Sequence, residues 1–126
     1  MTILLDSHVF LWSVIDDYRL SPEAHAMIKG EELIFVSIVS LWELTIKAKL
    51  GKLVFPEDIL DSIEDNGYKI LPMKIEHIKE YGKLPLIHKD PFDRLIVSQA
   101  KSEDLLLITA DKEILKYDIK SFRVKP

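Results

Sequence analysis

Cysteine is absent from this 126-residue chain. Disulfides, thiolate zinc sites and cysteine nucleophiles are therefore excluded. Long apolar runs are missing too, and none approaches the ~18 residues of a membrane span. The N-terminal stretch has neither a basic start nor a long apolar run, and Asp6 interrupts it early, so no signal peptide is expected there. A cytoplasmic protein without membrane attachment is the resulting expectation. No Gly-rich phosphate loop occurs, and no Gly-x-Ser-x-Gly nucleophile elbow. Positive charge is also short, with a formal net charge of −4. That speaks against indiscriminate nucleic-acid binding, which a basic face usually supplies. It leaves room for a nuclease whose acids gather at a metal site.

What is present is an ordinary globular composition, 48% hydrophobic and 30% charged, which argues against disorder. The length suits one domain over residues 1–126. Short β-rich runs alternate with longer helical patterns, the mark of βαβ units and a parallel sheet. Strands are expected at Ile3–Leu5, Leu33–Ser37, Tyr68–Leu71, Leu105–Ile108 and Ser121–Val124. Helices are expected at Ser7–Ile15, from Pro22 to near Gly30, Ile38–Leu50, Pro56 to about Asp65, Ile75–Tyr81, Pro91 to about Lys101, and Asp111–Lys116. Ser21 and Asp90 precede prolines as N-cap and N1 pairs. Trp42, Ile46 and Leu50 form an apolar stripe, and Gly51 stops that helix. Right-handed crossovers then place helices on both faces of the sheet.

Four carboxylates sit near the junctions of these elements: Asp6, Glu43, Asp93 and Asp111. Strand C-terminal ends share one edge of an open parallel sheet, and ligands bind in the crevice there. Acids distant in sequence can thus converge, and they repel one another unless protons or cations neutralise them. Hard oxygen donors of this kind suit Mg²⁺ or Mn²⁺.

Each acid also has a plainer reading. Asp6, Asp90, Asp93 and Asp111 can cap helices. Glu43 can pair with Lys47 at i,i+4 on a surface. Ser40, Glu43 and Lys47 form one polar stripe, which faces either solvent or the crevice. Asp90 is read mainly as a cap, while Asp93 can both cap and point at a metal. Arg94 can orient carboxylates or touch phosphate. Thr109 can bond a neighbouring backbone group. The four histidines are read as non-catalytic, because no pair has the spacing of a helical metal motif. His8 and His88 nevertheless lie next to acids.

The segments Leu-Leu-Asp6-Ser-His-Val-Phe-Leu-Trp12, Ser-Leu-Trp-Glu43-Leu-Thr-Ile-Lys47, Asp90-Pro-Phe-Asp93-Arg-Leu-Ile-Val-Ser-Gln-Ala100 and Leu-Leu-Leu-Ile-Thr-Ala-Asp111 resemble those of PIN-domain ribonucleases. Within that family they look most like the toxins of VapBC-type toxin–antitoxin pairs. The resemblance covers essentially the whole chain. It implies a three-layer α/β/α sandwich with a mostly parallel sheet of about five strands. It also implies a metal-dependent endoribonuclease using Mg²⁺ or Mn²⁺, with Asp6, Glu43, Asp93 and Asp111 as the acidic cluster. Ser7 and Thr109 match hydroxyl residues near the first and last acids of the family, and Lys47, Asp90 and Arg94 are supporting candidates. An RNA substrate, a cognate antitoxin and a homodimer are implied as partners. Two alternatives remain open: a catalytically silent interaction module, and a metal-dependent phosphatase or DNA nuclease built on the same acids.

Overall fold

Ile-Leu-Leu at positions 3–5 becomes the centre of the sheet rather than its edge. The computed structural model describes residues 2–31, 33–56 and 58–124. In chain order the elements are β1 (Ile3–Leu5), α1 (Ser7–Ile15), α2 (Pro22–Lys29), β2 (Ile34–Ser37), α3 (Ile38–Lys49), β3 (Lys69–Leu71), α4 (Ile75–Lys83), α5 (Pro91–Glu103), β4 (Leu106–Thr109) and β5 (Ser121–Arg123). The five strands run in the order β3-β2-β1-β4-β5. Every neighbouring pair is parallel, and Leu5 is in register with both Val36 and Ile108.

Alternation along the strands feeds two separate cores. Ile3, Leu5, Val36 and Ile108 join Val9, Phe10, Ala24, Leu41 and Leu44 on one face. Leu4 and Leu107 join Ile96, Val97, Ala100 and Ile114 on the other. The sheet is thus sandwiched between α1, α2 and the apolar residues of α3 on one side and α5 on the other, an α/β/α arrangement. Among the described residues, no helix is long and apolar enough to cross a membrane.

Two expected helices differ, and the orientation of α3, open from sequence, is settled. The helix expected from Pro56 to about Asp65 is reduced to a single 3₁₀ turn, Ile59–Asp61, and Glu57 within that span lies outside the described residues. Only Ile59 and Ile63 are buried there, while Leu60 is exposed. Two anchors do not support several helical turns, because helices in proteins draw most of their stability from packing. The expected helix after Asp111 is likewise a 3₁₀ turn, Ile114–Lys116. The Trp42-Ile46-Leu50 stripe does not form the buried face of α3: Trp42 and Leu50 are 61% and 63% exposed. The face turned inward carries Ser40, Glu43 and Leu44 instead.

The strand order also locates a crevice. From β1 the chain moves outward to β2 and β3, then returns to lay β4 and β5 on the opposite side. The order therefore reverses between β1 and β4, and open α/β sheets bind ligands beyond the strand ends at such a point.

Candidate active site

Beyond the C-terminal ends of β1 and β4 lies an open cavity of about 360 Å³. Asp6, Glu43, Asp90, Asp93 and Asp111 all line it, with Lys47 and Arg19 as its cationic neighbours. A larger cavity of about 550 Å³, beside His25, Asn66 and Tyr68, contains no such convergence of acids and is not the candidate.

Asp6 caps α1 through Oδ1, which accepts the Val9 amide at 2.8 Å. Its Oδ2 accepts the Thr109 hydroxyl at 2.5 Å and the Ala110 amide at 3.3 Å. The side chain is buried. Burial raises its pKa above the ordinary carboxylate value and outweighs the bonds from Thr109 and Val9, which lower it. The Thr109 hydroxyl in turn accepts the Asp111 amide at 3.0 Å. One hydroxyl thus ties the end of β1 to the end of β4.

Glu43 is buried on the inward face of α3. The Ser7 hydroxyl donates to its Oε1 at 2.5 Å, and Lys47 approaches Oε2 at 3.0 Å. The pairing with Lys47 is therefore real, but it faces the crevice and not open solvent.

Asp90 caps α5 as expected, its Oδ1 accepting the Phe92 and Asp93 amides at 2.8 and 3.3 Å. Asp93, one turn in, is the most crowded acid. Its pKa is pushed up to about 7, first by burial, then by the charges of Asp90 and Glu43; His88 opposes this, and Asp6 adds to it. Asp111 accepts the Glu113 amide on Oδ1 at 2.8 Å and faces His88 Nε2 with Oδ2 at 2.7 Å.

His88 is the residue that sequence reasoning undervalued. Its Nε2 also lies 3.2 Å from Asp93 Oδ2, and its Nδ1 accepts the Asp90 amide at 3.1 Å. Burial lowers its pKa, but the bond to Asp111 and the charges of Asp93, Asp111 and Asp90 outweigh that and raise it. The Asp90 amide pulls the other way, since it can donate only to an unprotonated Nδ1. The available signal was local: His88 stands two residues before a proline-marked helix cap, where a ring can reach the capping backbone. Arg19 and Trp12, also on the cavity wall, were likewise missed. The Arg19 guanidinium lies over the Trp12 ring at 4.9 Å and is gripped by Asp17 at 2.8 and 2.9 Å.

Arg94 requires a correction. It is buried, donates to the Pro85 carbonyl at 2.9 Å and lies 4.9 Å over the Tyr81 ring. It does not line the cavity. On α5 it follows Asp93 by about 100° of rotation, so the two side chains point to different sides. It braces the loop before α5 and stands outside the wall of the acidic cavity.

The donor set fits a hard divalent cation. His88, Asp93 and Asp111 offer ligand atoms within 4.8 Å of one another, as do Glu43, Asp90 and Asp93. Asp93 belongs to both groups. Lys47 and His88 face these acids, yet the pKa of Asp93 still stands at about 7, so the cluster has room for a further positive charge. Oxygen-rich sets of this type favour Mg²⁺ or Mn²⁺ over softer ions.

Residues 3–120 match the family described as the PIN domain. Ribonuclease VapC22 from Mycobacterium tuberculosis is 27% identical over 124 residues, covering 90% of this chain and 89% of the relative. Among solved structures, VapBC2 from Rickettsia felis bound to a DNA fragment from its promoter is similar, with a TM-score of 0.74, 16% identity and 98% of both chains covered. DNA-bound VapBC from Salmonella typhimurium gives the same TM-score and coverage at 18% identity. At such identities the structural likeness is one of fold.

Proposed function

The chain belongs to the PIN-domain family, and from that premise we propose that it is a metal-dependent endoribonuclease, the toxin of a VapBC-type toxin–antitoxin pair. The observation that carries this reading is the convergence of five carboxylates, from four parts of the chain, on one crevice at the switch point of the sheet. The similarity to ribonuclease VapC22 supports RNA as the substrate. The VapBC complexes among the structural neighbours support a cognate antitoxin as partner. A homodimer completes the proposal, consistent with the exposed apolar side chains Ile38 and Trp42 on α3 and Leu50 just after it.

Asp6, Glu43, Asp93 and Asp111 would hold the ion, with Asp90 beside them. When bound, a Mg²⁺ or Mn²⁺ ion supplies charge neutralisation at the phosphoryl oxygens and lowers the pKa of water. The chain's own groups do the rest. Thr109 and Ser7 fix the orientations of Asp6 and Glu43 through their hydroxyl donors. Lys47 offsets part of the negative charge that an entering phosphodiester meets, since it stands at the cavity wall 3.0 Å from Glu43. Asp93, whose pKa is pushed up to about 7 by burial and neighbouring acids, would be among the carboxylates whose charge such an ion offsets. A carboxylate of the cluster, Glu43 or Asp111, takes the proton of the attacking water.

Water as the nucleophile leaves a 5′-phosphate and a 3′-hydroxyl. The test is end-group analysis of cleaved RNA, run in competition with single-stranded DNA and a small phosphomonoester. A 5′-phosphate on RNA fragments, with neither competitor consumed, is expected. A 2′,3′-cyclic phosphate would refute the mechanism, and preferential attack on a competitor would favour a DNA nuclease or phosphatase.

A further inference from the structure

The mechanism above leaves His88 without a role, although it touches two of the proposed ligands. Its Nδ1 accepts the backbone amide of Asp90 at 3.1 Å. A backbone amide can only donate, so this contact places the hydrogen of the neutral ring on Nε2. A protonated ring carries a hydrogen there as well. In either state Nε2 is a donor, hydrogen-bonded to Asp111 Oδ2 at 2.7 Å, with Asp93 Oδ2 beside it at 3.2 Å as a charge neighbour. The backbone that carries the ring is held as well, because the His88 amide donates to the Tyr117 hydroxyl at 2.8 Å. Asp93 arrives from α5 and Asp111 from the turn after β4. Oδ1 of Asp111 is fixed separately, by the Glu113 amide.

We propose that His88 is a positioning residue that orients the Asp111 carboxylate for the cation by donating from Nε2, and is not itself a metal ligand. This rests on the metal-site reading given above. Hydrogen bonds that hold ligating carboxylates are part of a metal site, and removing them typically weakens metal binding about 10–100-fold.

Two substitutions separate the donor from the loop contact. His88→Gln keeps an amide donor near the Nε2 position. His88→Asn is too short to reach Asp111, yet keeps an acceptor near Nδ1 for the Asp90 amide. Mn²⁺ titration of the full chain, read by the free-ion electron-spin signal, gives the affinities, and thermal melting of the metal-free proteins reports folding. We expect His88→Asn to bind Mn²⁺ about 10–100-fold more weakly and His88→Gln to recover most of that loss. Electron spin-echo spectra of bound Mn²⁺ are expected to show no directly ligated imidazole nitrogen. Wild-type affinity in His88→Asn, equal losses in both variants, or a ligated nitrogen would each overturn the proposal while leaving the metal site standing. A wild-type protein that binds no Mn²⁺ would remove the metal-site reading and this inference together.

Discussion

Thr109 Oγ1 lies 2.5 Å from Asp6 Oδ2, a contact spanning 103 residues of sequence. The same oxygen accepts the Asp111 amide, so one buried hydroxyl aligns the first and last acids of the cluster. Thr109→Val keeps the shape and removes the bond. Asp6 then loses the strongest of the influences lowering its pKa, and the Asp111 amide loses its acceptor. A buried polar group left unsatisfied costs about 1–3 kcal/mol. Chemical denaturation is expected to show a loss in that range for Thr109→Val, together with weaker Mn²⁺ binding than wild type.

Asp93 makes the metal-free protein pH-sensitive. Its folded pKa of about 7 stands above the ordinary value of 3.8. Between those values the folded state holds a proton that the unfolded state releases, so stability falls as pH rises. The decline runs from about pH 4 to about pH 7 and levels off above. Asp93→Asn removes the group, flattens this part of the profile and stabilises the metal-free protein near neutral pH. A gain of up to about 4 kcal/mol is expected, because the shift spans roughly three tenfold steps in proton affinity and each corresponds to about 1.4 kcal/mol. Melting temperature against pH, with and without Mn²⁺, checks this. Added Mn²⁺ should stabilise the wild type, and the variant far less.

Lys47 compensates a buried carboxylate. Glu43 is 3% exposed and its Oε2 lies 3.0 Å from Lys47 Nζ. Lys47→Met retains the aliphatic stem and deletes the charge. Since Lys47 is itself partly exposed, solvent screens the pair, and the expected loss is about 1–2 kcal/mol. Divalent metal should recover part of it by replacing the missing charge. Denaturant midpoints with and without Mg²⁺ provide the comparison.

Arg94 should behave as a framework residue. Arg94→Met removes the bond to the Pro85 carbonyl and the contact over Tyr81. A loss of about 2–4 kcal/mol is expected from breaking a buried polar contact, with Mn²⁺ affinity close to wild type in the protein that remains folded. Strongly weakened metal binding at unchanged stability would contradict this placement.

Much of the fold was legible from local pattern. Ser21-Pro22 and Asp90-Pro91 open helices where expected, and Gly51, at φ +72°, follows α3 as its stop. The buried runs Ile3–Leu5 and Leu106–Thr109 pair as neighbouring parallel strands. Where the pattern misled or left a choice open, tertiary contact decided. The Trp42-Ile46-Leu50 stripe has helical spacing, yet the site draws Ser40 and Glu43 inward and leaves Trp42 resting edge-on against Phe92 at 5.3 Å. His88 was noted beside acids but read as non-catalytic, because its partners come from the turn after β4 and from α5 and share no periodic spacing with it. The different directions of Arg94 and Asp93 are a matter of helix phase, about 100° per residue, which adjacency in sequence conceals.

The most direct test of the central claim is cleavage of a mixed RNA pool by the purified protein in Mg²⁺, in Mn²⁺ and in EDTA, beside an Asp6→Asn control. The account predicts cutting with one or both ions that disappears in EDTA and in the variant. Equal cutting in EDTA, or by Asp6→Asn, would contradict a carboxylate-held metal as the seat of the reaction.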